Sequence, residues 1–211
     1  MIRKILLLNL LFPALFVFTE SEVENIFSND NKNQLFMNVE VALAEAQSEL
    51  GIIPDWAAKE FRQKADIKHL EHKEVVKENS KVRHGLVARL NVWKRSLNDE
   101  ASEFLHYGAT TVDIMDTVLV LQIDNSLDYL IKDLLEVETH LLKLTKEHLN
   151  TYMAGRTLGQ HALPITFGKK TGTWLAENRR NIERLEHVRS KVQRSGILKG
   201  AVGSVSYTHL R

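Results

Sequence analysis

Cysteine is absent from the 211-residue chain, which removes disulfides, thiolate metal sites and a cysteine nucleophile from consideration. A reducing cytoplasm is compatible with that absence, and a cytoplasmic location is the expectation. Three prolines, ten glycines and an aromatic content of 7% are too few for the turns and pleated faces of an all-β protein. No excess of one charge exists either: 28 basic residues face 27 acidic ones, so nothing composes a cationic surface for nucleic acid. An apolar fraction of 44% excludes a disordered chain. No apolar run reaches the roughly 20 residues of a membrane span.

The nearest approach to such a run is residues 1–18, basic over Met1–Lys4 and then apolar to Phe18 except for Asn9 and Pro13. A basic start and apolar middle suit a signal peptide, but no small-x-small cleavage site follows at Phe18–Ser21. The alternatives are an N-terminal arm packed on the domain, or a start placed too far upstream.

What the chain does contain is helical periodicity. Ser28, Asn29 and Asp30 can cap a helix whose apolar residues Leu35, Phe36, Val39, Leu43, Ala46 and Leu50 share a face. Gly51 stops it, and Pro54 with Asp55 opens a shorter helix. Residues 66–97 are charge-rich and helical in pattern, with Val75, Val76, Val82, Leu86, Val87, Leu90 and Trp93 as core candidates. From Thr111 to about Asn150 apolar residues step by three and four without interruption, from Met115 through Leu144, and predict one very long helix. Another is predicted from about Ile165 to Gln193, with Trp174, Leu175, Ile182, Leu185, Val188 and Val192 on its apolar face.

The metal and nucleotide motifs fail. His69 and His72 stand three apart on a probable helix, but no convergent third or fourth ligand accompanies them, so no metal or other cofactor is expected. Gly168–Thr171 reads like the end of a phosphate loop, yet the glycine required five residues earlier is Leu163. The two breaks between long helices are better candidates. One gathers His106, Thr110, Thr111 and Asp113; the other gathers Arg156, Thr157, Gln160 and His161. Polar groups at such a level either cap helices and form turns or serve a ligand.

These breaks also carry recognisable words. His106-Tyr-Gly-Ala-Thr110-Thr111-Val-Asp113-Ile-Met-Asp116-Thr117 resembles the HxGxTSxDxxDT signature of the fumarase/aspartase superfamily. Gly155 to Gly168, reading GRTLGQHALPITFG, resembles its second signature, GRTHGQxAxPTTFG. Residues 28–54 are similar to the family's FSDxN start and VExALAxAQxExGIIP helix, and Gly200–Gly203 to its GAVG turn.

The resemblance implies an all-α fold: a small N-terminal helical domain over 19–108, then the start of a long central helix bundle over 109–204. Residues 205–211 resemble translated adapter sequence and are set aside as a non-native tail. The chain is then an N-terminal fragment, since the family's GSSxMPxKxNP base loop is missing. Within the superfamily, Val82–Gly85 and Glu177–Arg184 resemble adenylosuccinate lyase, while Leu119–Gln122 and the non-histidine at position 158 resemble carboxymuconate cycloisomerase.

The implied activity is fumarate-releasing β-elimination from a small dicarboxylate or tricarboxylate, adenylosuccinate first and carboxymuconate lactonisation as the alternative. A non-catalytic helical bundle is the rival from another class. The resemblance assigns His84 and His106 to catalysis, and Thr110, Thr111, Arg156, Thr157, Gln160 and His161 to substrate binding. It also implies a homotetramer with shared active sites. One departure stands out: the family's general acid is the histidine of THG, and here that position is Leu158.

Overall fold

The computed structural model describes residues 24–203, so the readings of residues 1–18 and 205–211 lie outside the described residues. Within that range the chain forms two compact bodies, residues 24–123 with 193–203, and residues 124–192.

The first body is built from short capped helices. Ser28 Oγ accepts the N–H of Asn31 and starts α1 (Asn29–Glu49), and Gly51, at φ +71°, turns the chain beyond its end. Pro54 precedes α2 (Asp55–Lys64), and a 3-10 turn at Ile67–His69 is capped by Asp66. α3 (His72–Val82) ends where Arg83 takes a left-handed conformation, so the mostly helical stretch 66–97 is divided into separate short helices. α4 (Gly85–Lys94), α5 (Asp99–Ser102) and the start of α6 (Thr111–Glu147) complete the body. His69 ends the 3-10 turn and His72 begins α3, and among the described residues no group of side chains fits a metal ion.

Trp93 centres the core. Its ring lies edge-on to Phe36 at 6.3 Å and tilted to Phe61 at 6.1 Å, while its indole N–H donates to the Lys64 carbonyl at 3.0 Å. Val75 and Leu86 are buried as expected, whereas Val76 and Val87 face out.

The buried face of α1 also differs from the expected stripe. It is Asn33, Phe36, Met37, Glu40, Val41 and Ala44, with Leu35, Val39 and Leu43 partly buried at its edge and Leu50 exposed. The inward face is thus rotated by about one residue, roughly 100° on a helix of 3.6 residues per turn. That rotation brings a carboxylate inside.

The second body is an antiparallel helix pair joined by a β-hairpin. α6 is 37 residues long, about 55 Å at 1.5 Å per residue, close to the predicted length. α7 (Phe167–Val192) buries Gly168, Thr171, Asn178 and Ile182, so the expected Trp174 and Val188 are exposed instead. Asn178 donates to the Leu134 carbonyl at 2.8 Å, and the Thr145 hydroxyl donates to that of Thr171 at 2.9 Å. Arg189 pairs with Asp124 and Asp128 at the far end. Between the helices β1 (Tyr152–Thr157) and β2 (Gln160–Thr166) form a two-stranded antiparallel sheet. The second break is therefore a hairpin, the one strand pair in an otherwise helical fold among the described residues. None of the described helices is long and apolar enough to cross a membrane.

Candidate active site

The first signature occupies the turn that feeds α6. His106 sits at φ +63° and Gly108 at φ +69°, a reversal that turns the histidine back toward α1. Its Nδ1 lies 2.7 Å from Glu40 Oε1, and Glu40 is fully buried while the imidazole keeps 14% of its side-chain exposure. Burial pushes the Glu40 carboxyl above its usual range, opposed by the hydrogen bond to His106. Sequence periodicity missed Glu40. The available signal was its place in the VExALAxAQ pattern, on a face otherwise apolar.

Thr110 and Thr111 stand half-buried at the head of α6. The Thr110 N–H donates to Asp113 Oδ2 at 3.0 Å, while the Asp113 N–H returns to the Thr110 carbonyl at 3.1 Å. Asp113 does more than cap. It is 2% exposed, and its carboxylate also accepts the N–H groups of Lys199 at 2.8 Å and Gly200 at 3.2 Å. Thr117 Oγ1 accepts the N–H of Ile197 at 3.4 Å. The first signature therefore anchors the segment that leads into the GAVG turn.

His84 lies elsewhere in the same body as the exposed N-cap of α4, its Nδ1 accepting the Val87 N–H at 3.3 Å. A ring that accepts at Nδ1 carries its proton on Nε2, which leaves a donor facing solvent.

The second signature belongs to the other body. Its four candidates form two cross-strand pairs at the end of the hairpin, Arg156 opposite His161 and Thr157 opposite Gln160. Directly opposed residues share a face, so the first pair projects from one side of the ribbon and the second from the other. All four are exposed. Leu158 and Gly159 make the two-residue turn, with φ +47° and +77° as a type I′ geometry demands. Leu158 is 98% exposed and strained, since an L-residue in this region costs about 1–2 kcal/mol. The glycines around the tip have separate work. A Cβ on Gly155 would stand 2.5 Å from the Leu163 carbonyl, and one on Gly168 would stand 2.8 Å from the His148 carbonyl.

Comparison with known proteins places the chain among lyases. A family model described as "Lyase" matches residues 13–210. The chain is 36% identical over 187 residues to an N-acetyl-S-(2-succino)cysteine lyase of Dickeya dadantii, covering 89% of this chain and 41% of that protein. It is 36% identical over 185 residues to the adenylosuccinate lyase of Methanocaldococcus jannaschii, covering 88% and 40%. The crystal structure of β-carboxy-cis,cis-muconate cycloisomerase from Acinetobacter calcoaceticus superposes with a TM-score of 0.81 at 27% identity, covering 95% of this chain and 48% of that one. The chain spans about two fifths of the length of the curated relatives it matches. With both signatures in order on the helical framework and the family model matched across nearly the whole chain, the protein belongs to the fumarase/aspartase superfamily of lyases.

Proposed function

We propose that the complete protein is a lyase that removes a proton from the carbon beside a carboxylate and expels a group from the neighbouring carbon, releasing fumarate. Adenylosuccinate is its first candidate substrate. The observation that carries this reading is the turn into α6, where His106, backed by buried Glu40, is followed by two threonines at a helix start. The carbanion of such a reaction delocalises into the carboxylate, and preorganised donors around that group lower the barrier. Threonine hydroxyls and the unpaired N–H groups of a first helical turn are donors of that kind. By resemblance, Arg156, Thr157, Gln160 and His161 bind substrate at the hairpin and His84 belongs to the catalytic groups. A homotetramer with shared active sites fits the exposed Leu130, Val137 and Leu144 on one face of α6 and Leu135 and Leu142 on another, positions suited to further helices.

A second reading rests on Leu158. An amine must gain a proton as it leaves, and leucine at the hairpin tip has none to give. A thiolate, with a parent pKa of about 8.5, or a carboxylate, near 4, departs as an anion without that help. The succinocysteine lyase and the cycloisomerase among the similar proteins bear names consistent with such leaving groups. Ultraviolet measurement of fumarate release by the completed protein from adenylosuccinate and from N-acetyl-S-(2-succino)cysteine separates the two. Lactonisation of carboxymuconate without fumarate release would move the assignment to cycloisomerase. Inactivity on all three, not restored by Leu158→His, would favour a non-catalytic bundle.

A further inference from the structure

We propose that Glu40 is a positioning residue for His106: the two share one proton as a neutral pair, which keeps a proton on Nε2 and makes that nitrogen the donor to a substrate carboxylate. The last clause rests on the elimination reading given above; the state of the pair does not.

Three observations lead here. Glu40 is sealed, with no side-chain exposure, and His106 is the titratable side chain that meets it. Its second oxygen, Oε2, is buried and has no hydrogen-bond partner. Among the described residues the polar contact of the carboxyl is Oε1 to the His106 Nδ1 at 2.7 Å, a separation typical of a charge-assisted bond.

A carboxylate in this position facing a neutral ring would leave one net negative charge in an apolar interior, with a lone pair on Oε2 that nothing satisfies. Such a charge is costly to bury. One more proton neutralises the pair, and burial already holds the Glu40 carboxyl above its usual range. Two arrangements share that proton count: a carboxylic acid donating to Nδ1 of a neutral ring, or a carboxylate accepting from Nδ1 of an imidazolium. In both, Nε2 carries hydrogen. Without the extra proton the ring places its single hydrogen on Nδ1 and presents a bare Nε2, which repels a carboxylate. The protonation of a sealed group thus decides whether Nε2 of the ring donates or accepts.

Nitrogen-15 NMR of the histidine rings in the 211-residue chain, with His106→Gln to identify the signal, reads the pair directly. At pH 7 the unsubstituted chain should show Nε2 protonated. On raising the pH the ring should switch to the Nδ1–H form as Glu40 loses its proton. Glu40→Gln has no such proton, so the alkaline switch should vanish. A bare Nε2 at pH 7, or the same alkaline switch in Glu40→Gln, overturns the proposal. Should Glu40→Gln fail to fold, the pH 7 spectrum of the unsubstituted chain still decides it. No substrate enters the measurement: a completed protein that eliminates nothing would sink the functional reading and leave the pair standing, and a bare Nε2 would do the reverse.

Discussion

Asp113→Ala tests whether the first signature is an anchor as well as a helix start. The wild-type carboxylate is 2% exposed and accepts three backbone N–H groups, from Thr110, Lys199 and Gly200, at 3.0, 2.8 and 3.2 Å. Hydrogen bonds to a charged acceptor contribute about 1.5–3 kcal/mol each. Bonds that share one side chain do not add fully, so a loss of roughly 3–5 kcal/mol is expected, less if residues 193–203 detach and their amides hydrate. Asp113→Asn should recover little, because its amide nitrogen turns a donor toward donors. Urea unfolding followed by circular dichroism gives the global loss. Hydrogen exchange at Lys199 and Gly200 gives the local one, and losing about 2 kcal/mol of protection speeds exchange roughly 30-fold. An unchanged urea midpoint together with unchanged exchange at those two amides would refute the anchoring argument.

Gly168→Ala should destabilise the chain by about 1–3 kcal/mol, because the new methyl would meet the backbone of His148 and Leu149 at 2.8 Å; an unaltered thermal midpoint would contradict that close approach. Leu158→Asn should stabilise by about 0.5–1 kcal/mol, since asparagine tolerates the left-handed turn and the leucine side chain is 98% exposed; a loss of stability in chemical denaturation would mean that something covers this tip. Glu40 supplies a pH prediction. Its folded carboxyl is raised above 4.5 by burial, so its contribution to stability is fully present below that value and lost as pH rises through the raised one. Glu40→Gln should flatten that decline in urea midpoints measured from about pH 4.5 to 8, and a parallel curve would count against it.

Helix positions were legible because their signals are local. Ser28 caps α1, Gly51 turns the chain after it, and the unbroken three-and-four spacing of α6 runs as predicted. The hairpin was not legible for equally local reasons. Its turn is Leu158-Gly159 rather than Asn-Gly, and Pro164 interrupts a run that would otherwise read as a strand. In a two-stranded sheet both strands have an open edge, so a missing N–H can be tolerated there. Pro164 accordingly sits in β2 opposite Ala154.

Apolar periodicity marks every surface that is buried against anything, and a single chain buries only some of them. α6 shows the consequence: Leu127 is inside, while Leu119, Leu130 and Val137 belong to the same apolar pattern and remain exposed, and the buried Val118 and Ile131 lie off that pattern. The reverse error occurs on α1, where counting apolar residues passes over Glu40 because its partner, His106, lies 66 positions along the chain. A buried carboxylate is tolerable only where a distant residue meets it, and a one-dimensional pattern holds no record of that meeting. The helices could therefore be read from spacing alone. The pair that sets the state of the candidate site could be found only by bringing α1 against the turn before α6.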